Sequence, residues 1–325
     1  MHKKRSVILG LRKVDWSDEA RQNEFLNCVI SAMGHLGKKV SYDDLTCISG
    51  CAFRACSPKQ EMGPGAYHIR NDMPLIKHTF GMLGYDVELH SRSDYATDRK
   101  LIIDSIDRGI PVLTFDGVVS CSETCIISGY DDDGAVLLGY SPFMYIKDDH
   151  PEPADSTGYF RKSNWHDGFF KEVNGKILTI GKPATSLNKE ETIKESLREA
   201  VKLLRAGYTG HTYYAELVQK DTDNWFFLQL MIVCMDCNVF QDKVYVAPYL
   251  REAKVILKDK ADTLEKCAKL YDQISTLRRE MSGYFPDDLS MPERIKDKEH
   301  RRQYAQRVCK IRDLEKNSAD LLEKV

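Results

Sequence analysis

The sequence lacks an excess of positive charge. It contains 47 Lys and Arg residues against 49 Asp and Glu residues, which gives a formal net charge of −2. Binding to the phosphate backbone of a nucleic acid requires a surplus of basic side chains gathered on one face. We therefore expect no nucleic-acid partner.

The sequence also lacks an apolar run of the roughly 20 residues that a membrane-spanning helix needs. The best candidate, residues 225–240, is interrupted by Gln229 and Asp236, and we interpret it as a buried helix. The basic N-terminus is followed by the short apolar run VILGL, which is too short for the core of a signal peptide. These features predict a cytoplasmic protein with no membrane partner.

A disulfide framework and a metal-binding quartet are missing as well. The ten cysteines are scattered along 325 residues, a spacing typical of reduced thiols. Cys234 and Cys237 form a CxxC pair inside an apolar segment, whereas a structural zinc site takes four ligands, usually as two pairs. We expect this pair to be packing, and we predict no metal and no cofactor.

The first half of the chain alternates helical and β-rich segments. Apolar side chains at helical spacing predict helices at 23–36, 74–83 and 98–109. Short β-rich runs separated by turn residues predict strands at 85–90, 110–115, 124–130, 135–140 and 176–181. Gly37 and Gly84 are the expected ends of the first two of these helices.

The pattern changes near Pro183, and almost every later segment has helical periodicity. Asn188 followed by Glu191 is a capping-box pattern at the start of the first of these helices. The fold class we predict is α+β, with a mixed domain over residues 1–185 and an all-helical C-terminal domain over residues 186–325.

Three motifs of the mixed domain occur in an order that resembles a known family. They are NCVISAMGHLGKKVSYDDLTCISGCAFR (27–54), SETCIISGYDDDG (122–134) and YFRKSNW (159–165). Together they resemble the N-terminal domain of butirosin biosynthesis protein H, a bacterial papain-like group related to the cysteine peptidases that remove double-glycine leaders. The similarity covers most of residues 20–182.

The resemblance implies a papain-like cysteine-hydrolase fold in the mixed domain and a reaction that passes through a thiol. Cys28, near the start of the first long helix, matches the nucleophile, and a helix N-terminus favours the thiolate form. Gln22, six residues earlier, matches the glutamine that stabilises the oxyanion. The implied reaction is acyl transfer from a carrier-protein thioester to an amine, or hydrolysis of an amide or thioester.

The chain departs from the papain-like pattern in two of three catalytic roles. Such catalysis needs a thiolate, an imidazole that moves the proton, and an Asn or Asp that orients the imidazole. The imidazole position, six residues before Gly129, is Glu123, and the orienting position is Ser141. An ionised glutamate next to a thiol raises the thiol pKa, because two negative charges repel each other.

Other histidines are poor replacements for the missing imidazole. His35 lies two turns along the Cys28 helix, about 10 Å away at 1.5 Å per residue. His68 and His166 lie in segments of loop composition, where a surface or locally bonded histidine is the ordinary expectation.

Three function hypotheses follow. In the first, Cys28 accepts an acyl group from a small-molecule or peptide substrate, or from an acyl carrier protein. Glu123 then replaces the usual histidine, and Gln22 and helix amides stabilise the oxyanion. In the second, the domain has lost catalysis, and Glu123 and Arg54 bind a small ligand or peptide in the former cleft, since arginine suits carboxylates and phosphates. In the third, the C-terminal helices form an oligomer or scaffold, which leaves the first half unexplained.

Overall fold

In a computed structural model, the protein forms two units, and each unit combines two segments that are separated in the sequence. The structure describes residues 4–14, 21–55, 69, 72–116, 118–119, 124–142, 157–172, 174–284 and 291–325. The first unit, here the sheet unit, comprises residues 1–42 and 72–186. The second, the helical unit, comprises residues 43–71 and 187–325.

The described residues of the sheet unit and its border contain seven strands and five helices. The strands are β1 (Ser6–Val7), β2 (Tyr85–Ser91), β3 (Val112–Phe115), β4 (Thr124–Asp131), β5 (Val136–Tyr140), β6 (Phe160–Ser163) and β7 (Lys176–Pro183). The helices are α1 (Glu24–His35), α2 (Tyr42–Ile48), α3 (Met73–Met82), α4 (Tyr95–Asp107) and α5 (Phe169–Glu172). All of α2 except Tyr42 belongs to the helical unit.

The strands form one antiparallel sheet in the order β2-β7-β3-β4-β5-β6, with β1 added alongside β4. The last strand in sequence, β7, therefore lies between β2 and β3, and Leu178 is opposite both Leu89 and Leu113. On the other side of β3, the strands β4 and β5 pair so that Ile126 lies opposite Tyr140. An antiparallel sheet with separate helices confirms the predicted α+β class.

Helix α1 is the central helix of the sheet unit. Its first ten residues are all buried, and it packs against β4. Phe25 stacks on Phe115 of β3 with ring centroids 6.1 Å apart, and its other neighbour Phe80 meets it edge-on at 6.4 Å. A helix that is apolar around most of its circumference is stable only when covered on several sides.

Side chains and glycines set the helix ends much as the sequence predicted. Asn23 caps α1 by accepting a hydrogen bond from the Leu26 amide at 3.2 Å, and Gly37 follows the helix with φ +83°. Gly84 adopts φ +79° directly after α3, a backbone conformation that costs other residues energy. Asn188 and Glu191 form the predicted capping box at the start of α6.

The helical unit is built mainly from six further helices. They are α6 (Lys189–Gln219), α7 (Trp225–Met235), α8 (Val246–Ile256), α9 (Ala261–Tyr284), α10 (Met291–Arg294) and α11 (Lys298–Leu322). Helix α11 lies against α6 and α9, and α8 lies against α9. One apolar core joins these elements.

Residues 43–71 were included in the predicted domain 1–185, but their described part packs with the helical unit. Phe53 meets Tyr271 of α9 edge-on, with ring centroids 5.9 Å apart and planes at 88°. A Cβ added to Gly207 of α6 would lie 1.9 Å from the Cβ of Ala55, so α6 and this segment are in close contact. The helical unit thus takes a piece from the middle of the first half of the chain.

Helix α7 is apolar on all sides but is not fully buried. Met231 and Met235 are 0% exposed, whereas Phe226 is 73% exposed. The prediction of a buried helix is therefore wrong for the outer face of α7. Within the described ranges, no helix combines the length and the apolar character needed to cross a membrane.

Candidate functional site

Cys28 lies in the second turn of α1 and not at its N-terminus. The helix begins at Glu24 after the cap residue Asn23, and the Asn27 amide is already bonded to the Asn23 carbonyl. Only the first four amides of a helix lack internal partners and can stabilise an anion. Cys28 therefore lies near the start of the helix but beyond the first turn, and the expectation that the helix N-terminus stabilises its thiolate is not met.

The sulfur of Cys28 is sealed inside the protein. The residue is 0% exposed, and its Sγ donates a weak hydrogen bond to the Thr124 carbonyl oxygen, 3.7 Å away. A reactive cysteine needs access to its substrate and surroundings that stabilise the thiolate. The observed contact instead engages the S–H group of Cys28 with the backbone of β4.

Helix α1 is fastened to the start of β4 by a second contact. Glu24 Oε2 accepts a hydrogen bond of 3.0 Å from the Thr124 amide. Side chains of α1 therefore bond both the backbone amide and the backbone carbonyl of Thr124. Thr124 directly follows Glu123, the residue at the expected imidazole position. Glu123 itself lies outside the described residues.

The polar groups just before α1 are occupied in shaping the chain. Asn27 Nδ2 donates to the Arg21 carbonyl at 2.7 Å and to the Asn23 carbonyl at 3.1 Å, and the Asn23 amide donates to Tyr42 Oη at 3.2 Å. Gln22, the predicted oxyanion residue, is half-buried in this segment. The segment supports the helix start, and no described contact links Gln22 to Cys28.

Arg54, the predicted ligand-binding arginine, belongs to the helical unit, whereas Cys28 and Gln22 belong to the sheet unit. It follows the short 3-10 helix Cys51–Phe53, and its carbonyl accepts a 2.8 Å hydrogen bond from Lys243 Nζ. The predicted site residues are thus divided between the two units.

The sheet unit contains a buried histidine–carboxylate pair, and both side chains are occupied by hydrogen bonds within the fold. His166 Nε2 lies 2.9 Å from Asp98 Oδ2, and the Asp98 carboxylate also accepts from the Ser93 amide at 3.0 and 3.2 Å. Arg92 donates to His166 Nδ1 at 3.1 Å, which makes Nδ1 an acceptor and places the proton on Nε2. With both ring nitrogens engaged, His166 is not an available base. His68 lies outside the described residues.

The helical unit holds a second buried polar cluster, which sequence reasoning missed. Lys243 Nζ and His211 Nε2 both contact the Glu315 carboxylate, the latter at 3.1 Å, and all three residues are at most 1% exposed. Burial raises the pKa of Tyr271 well above its usual value, and the charge of Glu315 raises it further, so the phenol stays protonated. No local sequence pattern distinguishes these charged residues from those of a solvated helix face.

Comparison with known proteins adds no family assignment: no protein-family model matches the chain, and no curated protein matches it. The geometry of the described residues therefore carries the functional argument. Its central fact is that the cysteine in the nucleophile position is buried and bonded to the backbone.

Proposed function

We propose that the sheet unit is a papain-like module that binds a small ligand or peptide and does not use Cys28 as a nucleophile. The observation that carries this proposal is the position of the Cys28 sulfur, which is 0% exposed and bonded to the Thr124 carbonyl. Two of the three catalytic roles are missing from the sequence, and the thiol is buried in the structure.

The arrangement of elements supports the papain-like part of the proposal. A helix that carries the cysteine lies against an antiparallel sheet, and the strand it contacts begins directly after position 123. The neighbouring strand β5 ends at Tyr140, opposite Ile126, so Ser141 follows on the strand paired with β4. Through the resemblance, we assign the nucleophile, imidazole and orienting positions to residues 28, 123 and 141, and this order of helix and strands supports that assignment.

Thiol labelling tests the proposal because the chain supplies its own controls. Cys234, Cys237 and Cys309 are partly exposed, whereas Cys28 is buried. We expect iodoacetamide at neutral pH to modify these three first and Cys28 only in urea. Peptide mapping by mass spectrometry gives the rate for each site. Labelling of Cys28 ahead of the three partly exposed thiols would overturn the proposal.

A second candidate function, acyl transfer through Cys28, is favoured by one observation. The Cys28 sulfur lies 3.7 Å from the carbonyl oxygen of Thr124, the residue next to Glu123, so a carboxylate base is adjacent in sequence. The thiol would lose its proton to that carboxylate and attack a thioester carbonyl. The donor thiol would then leave with the proton. An amine acceptor would attack the acyl group on Cys28, the acyl–sulfur bond would break, and the proton lost by the amine would return to the Cys28 sulfur through the same carboxylate.

Acetyl-pantetheine distinguishes the two candidates, since it carries the thioester of an acyl carrier protein in small form. The binding proposal predicts no acetyl adduct on the intact protein. Acyl transfer predicts an adduct on the Cys28 peptide that the Cys28→Ser variant lacks. Cys309→Ser is the matched control, because Cys309 is partly exposed and lies in α11 of the other unit.

A further inference from the structure

A pocket at the C-terminal end of α1 is lined by cationic side chains. It has a volume of about 220 Å³ and is bordered by Arg12, His35, Lys38 and Lys39, together with Gly10 and Gly34. All these residues belong to the sheet unit. None of them is among the residues that the proposed function uses.

Among the described residues that line this pocket, every charged side chain is basic. Three other pockets lined by described residues each mix basic groups with a carboxylate, as with Asp133, Glu88 and Glu252. The chain as a whole has slightly more acidic than basic residues. An all-basic lining is therefore a local feature and does not follow from composition. A concave surface of one sign attracts ligands of the opposite charge.

Two of the basic side chains have no partner within the described part of the chain. The side chains of Arg12 and Lys39 make no hydrogen bond or ion pair there. Lys38 Nζ gives one of its three donors to Ser186 Oγ at 2.8 Å, which leaves two.

The cations are also not needed to cap α1, because backbone amides already do so. The amides of residues 36, 37 and 38 donate to the carbonyls of residues 32, 34 and 33 at 2.8–3.2 Å. Basic side chains at a helix end often serve these carbonyls, but here they are satisfied.

The scaffold of the pocket is fixed before a ligand arrives. Ser31, which is 1% exposed, donates from Oγ to the Arg12 carbonyl at 2.6 Å and ties that backbone to α1. His35 Nε2 donates to the Gly109 carbonyl at 3.0 Å, which positions the imidazole ring. Gly10 and Gly34 present open backbone, with nothing within 4 Å of where a Cβ would be. Preorganised donors lower the cost of binding.

We propose that this pocket binds the phosphate group of a small phosphorylated ligand. A guanidinium fork and two ammonium groups match a dianion with three terminal oxygens. A monocarboxylate, with one charge and two oxygens, would leave some of these donors unused. The site goes beyond the proposed function, because it does not involve the Cys28 region at the other end of α1.

Calorimetric titration of the full chain at constant ionic strength tests the proposal with three probes: inorganic phosphate, phenyl phosphate and benzoate. We expect saturable binding of phenyl phosphate with a Kd of roughly millimolar or tighter, and no saturation with benzoate. Saturation by inorganic phosphate as well would identify the phosphate group alone as the ligand. Saturation only by phenyl phosphate would identify a phosphomonoester.

The variant Arg12→Gln/Lys39→Gln should weaken phosphate binding by about tenfold or more, because it removes two charge-assisted donors. Both residues are exposed and lack partners, so the fold should be retained, which circular dichroism checks. Lys77→Gln/Lys182→Gln is the matched control. It removes the same charge from exposed positions of the same unit outside the pocket, and it should leave affinity unchanged.

Three results would overturn the proposal. They are equal weakening in the control variant, equal binding of benzoate, and no saturation by either phosphate probe. Each would show that the pocket attracts anions only through diffuse charge. None of them bears on the reactivity of Cys28, so failure here is distinguishable from failure of the proposed function.

Discussion

The substitution Lys243→Met should strongly destabilise the helical unit, because it leaves the buried Glu315 carboxylate without its lysine partner. Lys243 is 0% and Glu315 1% exposed, so water cannot replace the lost contact. Removing one member of a buried ion pair costs about 3–5 kcal/mol. Methionine keeps an unbranched apolar stem, so the change removes charge and leaves most of the packing in place.

The pKa of Glu315 sets the pH dependence of this effect. Burial raises that pKa, but Lys243 and His211 outweigh burial and hold it below its usual value of 4.5. A carboxyl group whose pKa is lowered by folding stabilises the protein above the unfolded pKa, and this stabilisation is lost as pH falls through the folded pKa. The wild-type protein should therefore keep the contribution at neutral pH and lose it only below the usual range of a glutamate.

In the Lys243→Met variant, the pKa of Glu315 should shift in the opposite direction. Without Lys243, burial is opposed only by His211, so the pKa of Glu315 rises and the group takes up a proton at a higher pH. The stability deficit relative to wild type should be largest near neutral pH and should shrink as pH falls toward about 5.

Urea unfolding followed by circular dichroism measures the deficit, and hydrogen exchange of α6 and α11 peptides shows that it lies in the helical unit. The double variant Lys243→Met/Glu315→Leu should lose less stability than Lys243→Met alone, since no buried charge is left unpaired. Lys266→Met, at an exposed position of α9, is the control and should change stability by less than about 0.5 kcal/mol. A deficit for Lys243→Met as small as the control, or one that does not vary with pH, would refute the reasoning.

Three further predictions concern packing and backbone. Gly34→Ala should stabilise the protein by about 0.5–1 kcal/mol, because the added Cβ contacts nothing in a helical position. Gly37→Ala should cost about 1–2 kcal/mol, because Gly37 has φ +83°. Thermal unfolding of both variants measures the two changes in Tm, and equal changes would contradict both expectations. Asp98→Ala leaves His166 without its acceptor and should cost about 1–3 kcal/mol in urea unfolding, with partial recovery in Asp98→Asn. Gly207→Ala should cost about 1–3 kcal/mol, because the new methyl would overlap a neighbouring Cβ; an unchanged melt would show that the segment yields.

Local features of the fold were predictable because local chemistry decides them. The capping box of α6 needs only Asn188 and Glu191, which are three residues apart, and both its hydrogen bonds are present at 2.9 and 3.1 Å. The end of α1 needs only a glycine at position 37. The strand positions followed from short β-rich runs between turn residues, and they lie within two residues of the observed bounds at most ends.

Features that depend on distant parts of the chain were not predictable. Phe53 packs against Tyr271 of α9, a contact between distant parts of the chain that no local pattern indicates. The burial of the Cys28 sulfur depends on Thr124, 96 positions later in the chain, whose carbonyl oxygen accepts its hydrogen bond. Lysine is usually exposed, and the burial of Lys243 depends on its ion pair with Glu315, 72 positions later in the chain.

The place of β7 in the sheet has a consequence for how the chain emerges from the ribosome. Residues 176–183 fill the gap between β2 and β3, so a nascent chain that ends before them holds two strands with unbonded edges facing each other. Residues 43–55 pack against helices that begin only at Lys189, so they cannot be covered until that later part of the chain has been synthesised. During synthesis there is therefore a long interval in which neither unit has all of its segments. A chain truncated at residue 175 should aggregate through its unpaired strand edges, whereas a chain truncated at residue 186 should form the complete sheet.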